Sequence, residues 1–232
     1  MNPKQSRTLI AFVAILFIAN SAIGQDGKSS LYPKMAPLEQ YLITDRSAEI
    51  VLAQSAAPKS ISGDATVLVL GRKGYETALD GKNGFVCMVQ RSWAAGLDDP
   101  EFWNPKLRAP ICFNAPGAAS DLPHIIKKTE WALAGLSRTE IADKMKAAME
   151  SNQLQKPLPG AMCYMLSKQQ YLSDRGGHWH PHLMFFLPPV DPASWGAGMT
   201  GSPMLGVKDS LEQVTVFMLP VDRWSDGSVA EN

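Results

Sequence analysis

The chain has one long apolar run, residues 9–19 (LIAFVAILFIA), and it stands at the very start. Any core built after it must come from shorter stretches, because no later segment is long and apolar enough to cross a bilayer. Lys4 and Arg7 precede the run without an acidic residue, and Ala22-Ile23-Gly24 follows it with small residues at the two positions a signal peptidase reads. The run itself is too short for a spanning helix, which needs roughly 20 residues. Residues 1–24 are therefore expected to be a cleavable signal peptide, cut before Gln25. The mature chain is expected in a bacterial periplasm or secreted, with no stable membrane insertion. No cysteine stands at the cleavage point, which argues against a lipid anchor.

Charge then excludes one class of partner. The full chain carries 22 basic and 22 acidic residues, and the leader removes two basic ones, leaving a slightly acidic product without a basic run. Nucleic-acid binding needs clustered cations to offset phosphates, so none is expected. A hydrophobic share of 45% is that of an ordinary folded domain. We expect residues 25–36 to be a loose mature N-terminus, 37–224 one α+β domain, and 225–232 a frayed tail.

Within that domain, apolar residues recur at three- and four-residue spacings over 37–56, 121–134 and 138–153, which predicts helices. Asp45 or Ser47 offers a cap that would divide the first into two. Ser137 and Glu140 have the spacing of a capping box for the last, and Ile141, Met145, Ala148 and Met149 form its inward stripe. Residues 65–70 (ATVLVL), 75–79 and 85–91 read as an antiparallel meander around Gly-rich turns. In the third of these, Phe85, Cys87 and Val89 share one face, and Val86, Met88 and Gln90 the other. Residues 110–114, 161–166, 182–187 and 214–219 are also strand-like. The expected architecture is an antiparallel sheet of about five to seven strands with two to three helices packed on it. The three cysteines, Cys87, Cys112 and Cys163, all lie in strand-like runs and read as buried small side chains. Export makes one disulfide admissible, and Cys87–Cys112 is the candidate pair.

Three of the four histidines fall within five residues, His178-Trp179-His180-Pro181-His182. In extended backbone, alternate residues point to one side, about 6.5–7 Å apart per step. Imidazoles at that spacing can converge on a transition metal ion such as Zn or Cu, and Gly176 and Gly177 would let the backbone fold them inward. His124, Asp174, Glu130 or Asp191 would have to complete the coordination. The leading expectation is an exported protein that binds a metal through His178, His180 and His182, its partner or ligand not being legible. One rival is a non-enzymatic binding or envelope-associated module in which these histidines are structural. Its loop tryptophans, Trp93, Trp103, Trp179, Trp195 and Trp224, would line a ligand surface or plug the ends of the sheet. The other rival is a hydrolase with a spatially assembled nucleophile, although no GxSxG or SxxK motif is present. The P-loop pattern is absent too, and no nucleotide cofactor is expected.

Overall fold

The aliphatic run from Thr66 onward sets the direction of the whole sheet. The structure is a computed structural model that describes residues 31–230, so the signal segment and its cleavage point lie outside the described residues. Strand β1 (Thr66–Gly71) turns through Arg72 and Lys73 into β2 (Gly74–Leu79) and pairs with it antiparallel. Strand β3 (Val86–Gln90) then lies on the opposite side of β1 and runs parallel to it. The reason is local. Residues 80–85 cross the start of β1 and do not form a hairpin, with the Lys82 and Asn83 N–H groups donating to the Asp64 carbonyl. Gly81 makes that crossing possible, because a Cβ there would sit 2.1 Å from the Thr66 nitrogen.

From β3 the sheet continues antiparallel through β4 (Ala109–Phe113), β5 (Met162–Met165) and β6 (His182–Leu187). Strands β7 (Leu205–Asp209) and β8 (Val214–Pro220) complete it, with β8 against β6 and β7 at the edge. The order is β2-β1-β3-β4-β5-β6-β8-β7. The α+β class stands. The antiparallel sheet of five to seven strands does not, because the sheet is mixed and has eight strands. The extra strand, β7, reads LGVKD and is mostly exposed on both faces, so it lacks the apolar alternation that marks a half-buried strand.

Helices cover both faces. On one, α1 (Arg46–Gln54), α2 (Lys59–Ser62) and the link between them pack Ala53, Ala56 and Ala57 against Val67, Val69 and Val89. The single helix expected over 37–56 is broken here. A 3₁₀ turn at Leu38–Gln40 precedes α1, and Asp45 caps α1 by accepting from the Ser47 and Ala48 N–H groups. On the other face lie α3 (Ala115–Ser120), α4 (Leu122–Leu133) and α5 (Arg138–Glu150). Helix α5 has the Ser137–Glu140 capping box, and its Met145, Ala148 and Met149 are buried with Leu154 beside Trp131 of α4. Helix α3 escapes periodicity because its sequence, APGAAS, is short and holds Pro and Gly. The described ends are also tied down. Tyr32 Oη donates to Asp174, and the Ala36 N–H donates to Tyr41 Oη at 3.1 Å. At the other end the Ser225 N–H donates to the Leu166 carbonyl and the Ala230 N–H to the Asp222 carbonyl.

The α1 face carries two strong fastenings. Cys87 and Cys112 stand opposite each other on β3 and β4 and form a disulfide. Cys163 projects from the other face, buried and unpaired, and burial pushes its thiol well above the ordinary range. Titration in denaturant without reductant should therefore find one reactive thiol, and three after reduction. The bridge closes a loop with a sequence separation of 25. Replacing both bridged cysteines with alanine should cost about 3 kcal/mol in urea unfolding, through the freed entropy of the unfolded chain. The second fastening is Arg91, fully buried, whose Nη2 donates to Glu49 Oε1 at 2.9 Å.

Candidate functional site

The sheet outruns its helices. Eight strands at ~4.8 Å each span roughly 34 Å, more than the short α3 and the single helix α4 cover on that face. Beyond α4 the face formed by β4, β6, β8 and β7 becomes the floor of a cleft of about 390 Å³. Ile111, Phe113, Met184, Phe186, Val216 and Met218 supply that floor, and Ile125 of α4 closes one side. Strand register explains the composition. Phe186 opposes Val216 and Met184 opposes Met218, so every second residue of these strands faces the cleft.

One wall is polar and closed on itself. Asp121, at the N-cap of α4, and His124 and Lys128 within the helix line its inner side at three- and four-residue spacings. Glu212 meets them from the turn between β7 and β8. Asp209 shapes that turn by accepting from the Leu211 and Glu212 N–H groups, and Gln213 adopts a left-handed φ of 53°. Lys128 Nζ donates to Glu212 Oε1 at 2.6 Å and to the carbonyls of Ala94 and Ala95, so all three of its protons are used. His124 Nδ1 lies 3.2 Å from Glu212 Oε2, and Nε2 lies 2.9 Å from the Gln155 carbonyl oxygen. Both ring nitrogens face acceptors, and only the imidazolium can donate to both. Burial draws His124 downward, but the Glu212 hydrogen bond and charge outweigh it and hold the imidazole above its ordinary value. Glu212 is likewise opposed by burial, yet the two cations bring it down to about 2. His124 is thus a charged tie with no free nitrogen to act as a base.

Two polar groups in the cleft stand apart from that network. The Gln90 amide lines it and makes no hydrogen bond among the described residues. Asp121 Oδ2 accepts from Ser120 Oγ at 2.6 Å, while burial raises the carboxyl to about 6. An acid with a raised folded value loses stability as pH climbs through the interval from 3.8 to about 6. Asp121→Asn should therefore raise stability by about 1–3 kcal/mol above pH 7. That gain should be gone at pH 3.5, where both side chains are neutral. Thermal melts at the two pH values check this.

A second, more open hollow of about 570 Å³ adjoins the cleft and shares Asp99, Leu172, Met184 and Met218 with it. Here lie parts of the expected histidine cluster. His182 is the first residue of β6, buried, and its Nδ1 lies 2.8 Å from the His180 carbonyl oxygen. Burial holds it below the ordinary imidazole value, against the opposing pull of that hydrogen bond. His178 reaches the hollow's rim, with Nδ1 2.7 Å from the Gln170 carbonyl oxygen. His180 lines neither space. The proposed completing groups are engaged elsewhere. Asp174 takes Tyr32, Tyr171 and Lys106, Glu130 pairs with Lys127, and Asp191 caps the turn at Pro192–Trp195. Among the described residues, no three His, Cys, Asp or Glu side chains are grouped to hold a metal ion. Nor does a serine or cysteine side chain hydrogen-bond a histidine there.

The tryptophans divide between the two roles expected of them. Trp93 and Trp103 are buried in the core beside Tyr41, whereas Trp179 and Trp195 are exposed, Trp195 stacking on Phe217 at 5.1 Å. Sequence reasoning missed Asp121, Lys128 and Glu212 as a group. The available signal was polar residues at 121, 124 and 128, nearly in phase with Leu122, Ile125, Thr129 and Ala132 of the buried stripe. Comparison with known proteins adds nothing to this picture: no family model, curated protein or solved structure matches the chain.

Proposed function

We propose that this protein is a non-enzymatic binding module, exported to the periplasm or secreted, that holds a small, largely apolar molecule in the cleft between α4 and the sheet. The observation that carries the reading is the cleft itself. Its volume of about 390 Å³ lies in the range of small-molecule sites, and its apolar floor comes from β4, β6 and β8. The polar wall supports binding over catalysis, because Lys128 and His124 spend their donors on protein acceptors. Gln90 and Asp121 remain to orient a ligand that offers hydrogen-bond donors. Among the described residues no helix is long and apolar enough to cross a membrane, which is compatible with export of the mature chain.

Nile red, a neutral probe, tests the proposal. It should bind saturably with blue-shifted emission. Val216→Phe, which builds a ring into the floor, should weaken binding at least tenfold with the melting temperature little changed. Ala109→Phe repeats the test from β4. Unaltered binding by both variants, with both folded, would remove the cleft as the site.

A further inference from the structure

The open hollow beside the cleft contains a donor set that the histidine spacing alone does not reveal. Met165 on β5 stands opposite His182 on β6. Met184, two residues after His182 and on the same face, stands opposite Met218 on β8. Three thioethers and one imidazole therefore occupy a contiguous patch over three adjacent strands, and all four line the hollow of about 570 Å³. Directly paired residues bring their Cβ atoms to about 4.5–5.5 Å, and alternate residues along a strand lie about 6.5–7 Å apart. The flexible stems of methionine readily bridge such gaps.

The imidazole is oriented for this patch. A carbonyl oxygen only accepts, so the His180 carbonyl fixes the proton of His182 on Nδ1. That leaves the lone pair on Nε2, which meets no hydrogen-bond partner among the described residues, although His182 is only 4% exposed. A backbone carbonyl on the far nitrogen is the usual support behind a metal-ligating histidine.

From this juxtaposition we propose that Met165, Met184, Met218 and His182 form a binding site for a soft monovalent metal ion, Cu(I). Thioether sulfur and neutral imidazole suit Cu(I), while divalent zinc in protein sites draws on thiolate, imidazole and carboxylate sets. The four donors are uncharged, so the bound site carries a single positive charge. The site is distinct from the His178–His180–His182 set: it keeps only His182 and takes its remaining donors from sulfur. Cys163, which stands opposite Met184, does not line the hollow and is not a ligand.

The mature chain without an affinity tag should compete with bicinchoninate for one equivalent of Cu(I) under anaerobic conditions. The triple variant M165L/M184L/M218L, which removes sulfur but keeps apolar bulk, should lose affinity at least 100-fold. His182→Ala should lose at least tenfold, while His180→Ala and Cys163→Ser should change nothing. His182 lines the hollow and not the cleft, so Nile red binding should survive in His182→Ala while Cu(I) affinity falls, and this proposal and the previous one fail independently. Wild-type protein gives a second measurement that needs no variant. With methionine methyls labelled, Ag(I) as a redox-inert substitute should shift three methyl signals in step with one equivalent. Cu(I) affinity that is unchanged in the methionine triple variant, or no methyl shift with Ag(I), would overturn the assignment.

Discussion

Glu49→Ala should destabilise the protein by about 3–5 kcal/mol, the usual cost of stranding a buried charge. Arg91 is fully buried, and its guanidinium is satisfied in three directions: Nε to the Tyr41 carbonyl, Nη1 to the Val89 carbonyl and Nη2 to Glu49. Glu49 is the only anion of the set, and its Oε1 also accepts from the Leu70 N–H. The substitution therefore removes the counter-charge and leaves a buried β1 amide without its acceptor. Replacing both members, as in Glu49→Leu with Arg91→Met, should recover part of the loss, because the desolvation cost of the pair disappears with it. Urea unfolding of the two single variants and the double variant measures the coupling. Near-additive costs would show that the pair does not act as a unit.

Glu212→Ala should cost a similar amount, about 3–5 kcal/mol at pH 6, because one carboxylate serves two buried cations. Its pH dependence distinguishes it from a simple packing loss. The ordinary value of the Glu212 carboxyl is 4.5 and its folded value about 2, so its contribution is fully present above 4.5 and fades as pH falls toward 2. His124 works in the opposite sense. Its raised folded value makes its contribution complete below 6.5 and lost as pH rises through that folded value. The difference between wild type and variant should therefore be greatest between about 4.5 and 6.5 and shrink on either side. A difference independent of pH from 2.5 to 8 would mean that the charges contribute nothing beyond packing.

What could be read from the sequence follows from which interactions are local. The Ser137–Glu140 box, the apolar period of α4 and the apolar run of β6 rest on residues close in sequence; the box and β6 are as expected, and α4 is one residue shorter at each end than the expected 121–134. The two faces of β3 were also legible, since period two leaves no freedom once the strand is given. The parallel pairing of β1 with β3 was not, because it depends on Gly81 lying against the backbone of residues 64–66, a contact between segments. The Glu212 cluster was hidden for the same reason. His124 and Lys128 share a helix face, but their anion arrives from 84 and 88 residues away along the chain. The methionine patch needs the register of three strands, and each of its members alone looks like ordinary core filler.

The disulfide and the Glu49–Arg91 pair both sit on the side of the sheet that meets α1, away from the cleft. The disulfide and the most deeply buried ion pair thus lie on the opposite surface of the layer from the cleft floor. Because alternate side chains of a strand point opposite ways, a substitution at Val216 or Met184 does not touch a neighbour on the fastened side. A lineage, or a designer, can rewrite the cleft floor residue by residue while the other surface keeps its disulfide and ion pair.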